Sequence, residues 1–166
     1  LTCDEASQDN HGPPPAVNMR PPQQLGDHSI KTITDTYPTL IVVGSDGTRM
    51  SNVVDLGGRR VTSFSVAPDA VRVALVLERG KTRALGIGLL SRQEGAVHLS
   101  HIADIPLSSS DVNLSIITDV AWLSQTRLCV LGRAIDAGVT APYELVVDGS
   151  GATSLGQLTD TSMAAV

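Results

Sequence analysis

Val61-Thr62-Ser63-Phe64-Ser65-Val66-Ala67-Pro68-Asp69-Ala70-Val71-Arg72-Val73-Ala74-Leu75-Val76-Leu77 is the stretch on which the fold turns. Residues 61–66 read as a strand, rich in β-branched side chains that suit a pleated surface. Ala67-Pro68-Asp69-Ala70 reads as a turn, with Pro pre-set for its second position. After it Val71, Val73, Leu75 and Leu77 alternate with Arg72, Ala74, Val76 and Glu78. That period of two marks a strand apolar on one face and mixed on the other.

Arg79-Gly80-Lys81-Thr82 turns the chain again. Leu85, Ile87 and Leu89 then alternate with Ala84, Gly86 and Gly88. Small residues along one face predict close packing of another sheet there. Arg92-Gln93-Glu94-Gly95 is a further turn, and residues 97–102 a fourth strand. The pattern then recurs. Ile117-Thr118-Asp119-Val120-Ala121-Trp122-Leu123-Ser124 aligns with residues 61–68 at an offset of 56 positions. Arg127 to Leu131 takes the place of the second strand, and Pro142 to Val147 of the third, before the turn Asp148-Gly149.

Upstream, Leu40-Ile41-Val42-Val43 ends at Gly44-Ser45-Asp46-Gly47, a hairpin signal because Gly tolerates φ > 0. The return strand runs from about Thr48 to Asp55, and Gly57-Gly58 stops it. A four-stranded unit recurring at roughly 40–50 residues is the signature of a β-propeller blade. The fold class is therefore all-β, with antiparallel four-stranded blades of an incomplete propeller. The count is two nearly whole blades and half of one before them, so the first sheet is expected to be incomplete. Roughly 4–8 blades close a propeller ring, so this is an open arc of about two and a half blades, part of something larger or in need of a partner. The end faces are expected to carry Ile41, Val43, Leu145 and Val147 or the residues that alternate with them, exposed and driving association.

The chain of 166 residues divides into residues 1–29, a Pro-rich, polar, disordered arm, and 30–166, the partial β-propeller. Pro13-Pro14-Pro15 and Pro21-Pro22 break the first segment, because proline fixes φ and removes a donor. Val, Ile and Thr supply 41 residues, about a quarter of the chain, which agrees with an all-β fold. Seventeen acidic against twelve basic residues give a net charge of −5. That disfavours a nucleic-acid partner, since phosphate binding needs a basic face. No apolar run reaches the roughly 20 residues of a membrane helix. The chain begins at Leu1 without a signal sequence, which reads as a processed or partial protein.

The same residues supply no catalytic, cofactor-binding or metal site. Of His11, His28, His98 and His101, the last two sit three apart on a strand, where odd spacings face opposite ways. No Ser lies in a Gly-x-Ser-x-Gly elbow, and Ser108-Ser109-Ser110 reads as a solvated loop. Gly86-x-Gly88 lacks the third glycine and the helix that a pyrophosphate cradle needs. Asp46, Asp69 and Asp148 sit in turns, where the side chain caps its own backbone. Cys129, within Leu128-Cys129-Val130-Leu131, reads as a small core residue. Cys3 after Leu1-Thr2 is a poor fit to a lipidation box. Phe64 and Trp122 are expected in equivalent buried positions of successive blades, with Trp122 opposite Val66 in strict register.

Phe64-Ser65-Val66-Ala67-Pro68-Asp69-Ala70 resembles the strand-turn-strand of TolB-like propeller repeats. Ala70 stands where those repeats carry glycine, so the turn is expected to avoid φ > 0 there. Residues 61–74, 117–123 with 128–132, and 142–149 together resemble the C-terminal propeller of LpqB-family lipoproteins. That resemblance implies an exported protein, lipid-anchored on the extracytoplasmic face of the plasma membrane, with a GerMN-like domain ahead of the propeller. It implies a link to the MtrA–MtrB two-component system through the extracellular part of the sensor histidine kinase. It carries no catalytic residues and no cofactor. The function it implies is a non-enzymatic interaction module of the cell envelope. Two alternatives stay open: the propeller part of a hydrolase or peptidase whose catalytic domain lies elsewhere, or a degenerate inactive fragment.

Overall fold

The computed structural model describes residues 23–25, 28–33, 39–44, 46–94, 96–108 and 112–155. They form three four-stranded antiparallel sheets, each with its strands in consecutive order. The first holds β1 (Gln23–Leu25), β2 (His28–Ile33), β3 (Thr39–Gly44) and β4 (Arg49–Val53). The second holds β5 (Arg60–Val66), β6 (Arg72–Arg79), β7 (Thr82–Gln93) and β8 (Ala96–Ile105). The third holds β9 (Leu114–Trp122), β10 (Arg127–Ala134), β11 (Ala141–Val146) and β12 (Ala152–Ser154). No helix occurs among the described residues. Successive hairpins explain the simple order, because short turns can only return a strand antiparallel beside its predecessor.

The first sheet is complete, where half a sheet is expected from the sequence. Its extra strands come partly from the segment read as an arm: β1 and the start of β2 precede residue 30. Proline explains the misreading. Pro21-Pro22 rules out a central strand but not the entry to a short first strand. Residues 1–22 lie outside the described residues.

In the β5–β6 hairpin, Ala67 N–H donates to Arg72 O (2.8 Å) and Ala70 N–H to Ala67 O (2.9 Å). Asp69 Oδ1 accepts from the amides of Val71 and Arg72 at 2.9 and 3.1 Å. These bonds fix the turn so firmly that Ala70 takes φ +56°. The expectation that Ala70 would avoid positive φ is thus corrected. The hairpin closes as if glycine were present, at a strain of about 1–2 kcal/mol. Gly47 and Gly149, in the turns between the third and fourth strands of sheets one and three, adopt φ +83° and +76° without that strain.

The sheets stack in series. Leu40, Val42, Val54 and Leu56 from the first pack with Phe64, Val73, Leu75, Leu77, Val97 and Leu99 of the second. The opposite face of the second sheet, with Ala74, Val76, Leu85 and Ile105, packs on Ile117, Val120, Leu128, Val130, Tyr143 and Leu145. β6 is therefore buried on both faces from Val73 to Leu77. Gly86 and Gly88 have a local cause. A Cβ on Gly88 would come within 2.5 Å of Leu99 Cδ1, and one on Gly86 within 2.9 Å of Leu77 Cδ1. The space they leave is filled by leucines of their own sheet, rather than by the approach of another sheet.

The 56-residue offset is a structural register. Phe64 pairs with Leu75 and Val66 with Val73, while Val120 pairs with Val130 and Trp122 with Leu128. Val120 thus takes the place of Phe64, and Trp122 that of Val66. Phe64 is buried; Trp122 is half-buried, and each faces the preceding sheet. The expected end-face residues are also redistributed. Leu145 and Val147 face the inter-sheet core, and Ile41 is buried. The large apolar side chains that are exposed are others, among them Val53, Val71, Leu123, Ile135 and Val139.

Candidate interaction surface

The second and third sheets are held by polar bonds at three levels. In the interior, Ser63 Oγ donates to Asp119 Oδ1 at 2.7 Å, between equivalent positions of the innermost strands β5 and β9. Both are nearly inaccessible to solvent, and Val120 N–H also donates to the same oxygen at 2.8 Å. At the rim formed by the β5–β6 and β9–β10 turns, Trp122 Nε1 donates to Ser65 O at 2.9 Å. There the Arg72 guanidinium lies 5.1 Å from the indole centroid and donates through Nη2 to Gln125 O at 2.7 Å. At the opposite rim Arg83 Nη1 donates to Ile117 O at 3.0 Å. The first and second sheets share a bond at their outer strands, Asn52 Nδ2 to Val97 O at 2.5 Å.

The residues weighed for chemistry are scattered. His98 is half-buried on β8, and His101 is exposed, with Nδ1 2.9 Å from Ser100 Oγ. His101 has φ +51° beside a register shift in the β7–β8 ladder. The bulge breaks the strict alternation assumed for the pair. No group of three or more His, Cys, Asp or Glu among the described residues is placed to hold a metal. Asp46 Oδ1 accepts from Thr48 N–H at 2.9 Å, and Asp148 Oδ1 from Ser150 N–H at 2.8 Å. Burial raises the Asp69 carboxyl, but bonds from Val71 and Arg72 and the charge of Arg72 outweigh it and hold it below the usual carboxylate range. Cys129 is buried, and desolvation followed by the nearby Glu144 charge pushes its thiol up. Ser108 forms an isolated bridge with Asn113. Cys3, His11 and Ser109-Ser110 lie outside the described residues, and for His28 the structure gives only its place on β2.

Sequence reasoning missed a cleft at the Arg83 rim of the second sheet. It is an open groove of about 500 Å³, lined by Gly57, Arg59, Arg79, Thr82, Ala84 and Asp104 and by Leu77, which has no exposed surface. Arg59 Nε donates to Leu56 O at 3.0 Å, and its Nη1 meets Asp104 Oδ1 at 2.5 Å. Arg79 donates through Nη2 to Gly57 O. Glu78 is shared between Arg60 (3.0 Å) and Arg83 (3.6 Å). The sequence carries the cations at 59–60 and 79–83, but the register that joins them is a property of the folded sheet. Arg60 pairs with Glu78 across β5–β6, so the cations at 59–60 and 79–83 had to meet at one end of the hairpins.

Comparison with known proteins adds the family. A family model described as the lipoprotein LpqB beta-propeller domain matches residues 26–166. A protein of Cutibacterium acnes named lipoprotein LpqB is 83% identical over all 166 residues, which cover 28% of that protein. Proteins with the same name from Streptomyces avermitilis and Streptomyces coelicolor are 34% and 36% identical over 91 residues, 55% of this chain and 15% of each of theirs. The chain thus spans little more than a quarter of the length of the Cutibacterium relative. No solved structure matches it. Three serially stacked four-stranded sheets and a family match running from the first sheet to the last residue agree: the chain belongs to the lipoprotein LpqB β-propeller family.

Proposed function

We infer that this chain is part of a non-enzymatic interaction module. In this reading the propeller belongs to a lipid-anchored protein on the extracytoplasmic face of the plasma membrane. There it contacts the extracellular domain of a sensor histidine kinase and modulates the MtrA–MtrB two-component system. The observation that carries the reading is the family match over residues 26–166, with an 83% identical relative named as a lipoprotein. The architecture supports it. Blades bonded at both rims make a rigid scaffold, and rigid scaffolds present loops for recognition. The polar side chains of the interior, Ser63 and Asp119, bond each other and hold sheets together.

The test is direct binding. The 166-residue chain, immobilised, should bind the purified extracellular domain of the sensor kinase saturably, and should turn over no ester or peptide substrate. Absence of binding would remove the partner. Turnover abolished by one side-chain substitution would remove the non-enzymatic reading.

A further inference from the structure

Five cations gather at one end of the second sheet: Arg59, Arg60, Arg79, Lys81 and Arg83. Three carboxylates stand near them, on Asp55, Glu78 and Asp104, so this rim is positive by two charges in a chain of net charge −5. Among the described residues, Arg79 and Lys81 have no carboxylate in ion-pair range. Arg79 uses Nη2 on the Gly57 carbonyl and lines the cleft as an exposed side chain. The Thr82 hydroxyl is exposed beside it.

We propose that this cleft is the docking site for an acidic, extended segment of a protein partner. The proposal rests on the reading above that the propeller is an interaction module, and it names the surface. A guanidinium presents a planar fork that matches a carboxylate, and such charge-assisted bonds are the strong ones. The half-buried Ala84 methyl beside these cations offers apolar contact to the methylene stem of a glutamate, which a bare anion lacks. A volume of about 500 Å³ holds several side chains, within the range of small binding sites. A groove lined from the β4–β5 loop and from three strands suits an extended peptide better than the plane of a membrane.

The experiment uses the 166-residue chain and a fluorescein-labelled hexaglutamate peptide, read by fluorescence anisotropy. The net charge repels such a peptide, so binding must arise from a local field. The expected result is saturable binding that weakens about tenfold or more in Arg79→Gln and in Thr82→Glu, since a bond to a charged group is worth about that much. Arg127→Gln, which removes a cation of the third sheet paired with Glu144, should leave affinity unchanged. Equal losses in Arg127→Gln, or no saturable binding at about millimolar peptide, would overturn the proposal. So would displacement of the peptide by equimolar inorganic phosphate, which would mark a simple anion site. Capture by phosphatidylglycerol vesicles without peptide binding would make the rim a membrane face and refute the docking site. Trp122 fluorescence in each variant checks that the sheets stay packed. If the sensor domain fails to bind while hexaglutamate binds, the partner falls and the cleft stands; the opposite result removes the cleft alone.

Discussion

Replacing Ser63 with alanine removes one donor from a carboxylate that is 4% exposed. Asp119 then keeps the Val120 amide at 2.8 Å but loses the hydroxyl at 2.7 Å. A hydrogen bond to a charged group contributes about 1.5–3 kcal/mol, and a buried charge that loses a partner is costly to leave. Ser63→Ala should therefore cost about 2 kcal/mol, with no cavity larger than one oxygen atom. With a urea m-value of about 2 kcal/mol/M, that is a midpoint shift of about 1 M. The single tryptophan, Trp122, bonds across the same pair of sheets, so its fluorescence reports the transition at the relevant interface. Asp119→Ala and the double variant complete a cycle. Residues in direct contact couple by about 0.5–3 kcal/mol, and separated ones add within about 0.5 kcal/mol. A coupling of about 1–2 kcal/mol is expected. Additive losses would refute the pairing of β5 and β9 at a 56-residue offset.

Ala70→Gly should stabilise the chain by about 0.5–1 kcal/mol: relief of about 1–2 kcal/mol of left-handed strain is partly offset by about 0.4–1 kcal/mol of added unfolded-state entropy; a lower urea midpoint would contradict the φ of +56°. The Cys129 thiol, raised by burial and then by Glu144, should react with a disulfide reagent at pH 8 far more slowly in the folded chain than in urea; equal rates would place it at the surface. Because the Asp69 carboxyl is held below its ordinary value of 3.8, its stabilising effect is full above that pH and fades as pH falls through the lower folded value. Asp69→Asn should flatten that acid limb of the stability curve, and an unchanged limb would remove the Arg72 and Val71 bonds from the account.

Much of the second sheet was legible in residues 61–102. Alternation, Pro-Asp and Gly turns and the matching register of residues 117–124 all point the same way there. β1 and β2 were not legible. They are short, lie near prolines and carry no period, and their pairing with β3 is a non-local property of the sheet. The φ of Ala70 was missed because local preference was weighed without the bonds from Asp69 that close the hairpin. Whether Leu145 or its alternates face the core was left open, because sequence gives the alternation of a strand but not which face meets a neighbour. The arginine cleft assembles residues from the β4–β5 loop, β6, β7 and β8. Only the strand register brings them together, so charge counting along the chain dilutes them into a net negative total.

The central claim is that blades two and three stack with Trp122 against the backbone of Ser65 and beneath Arg72. The indole N–H gives one resonance, since the chain has one tryptophan. A two-dimensional NOE spectrum of the full chain tests the stacking directly. The account predicts a single dispersed indole N–H with slow solvent exchange and cross-peaks to Ser65 and the Arg72 side chain, from the 2.9 Å bond and the 5.1 Å ring contact. A rapidly exchanging indole N–H with cross-peaks only to residues 120–124 would contradict it.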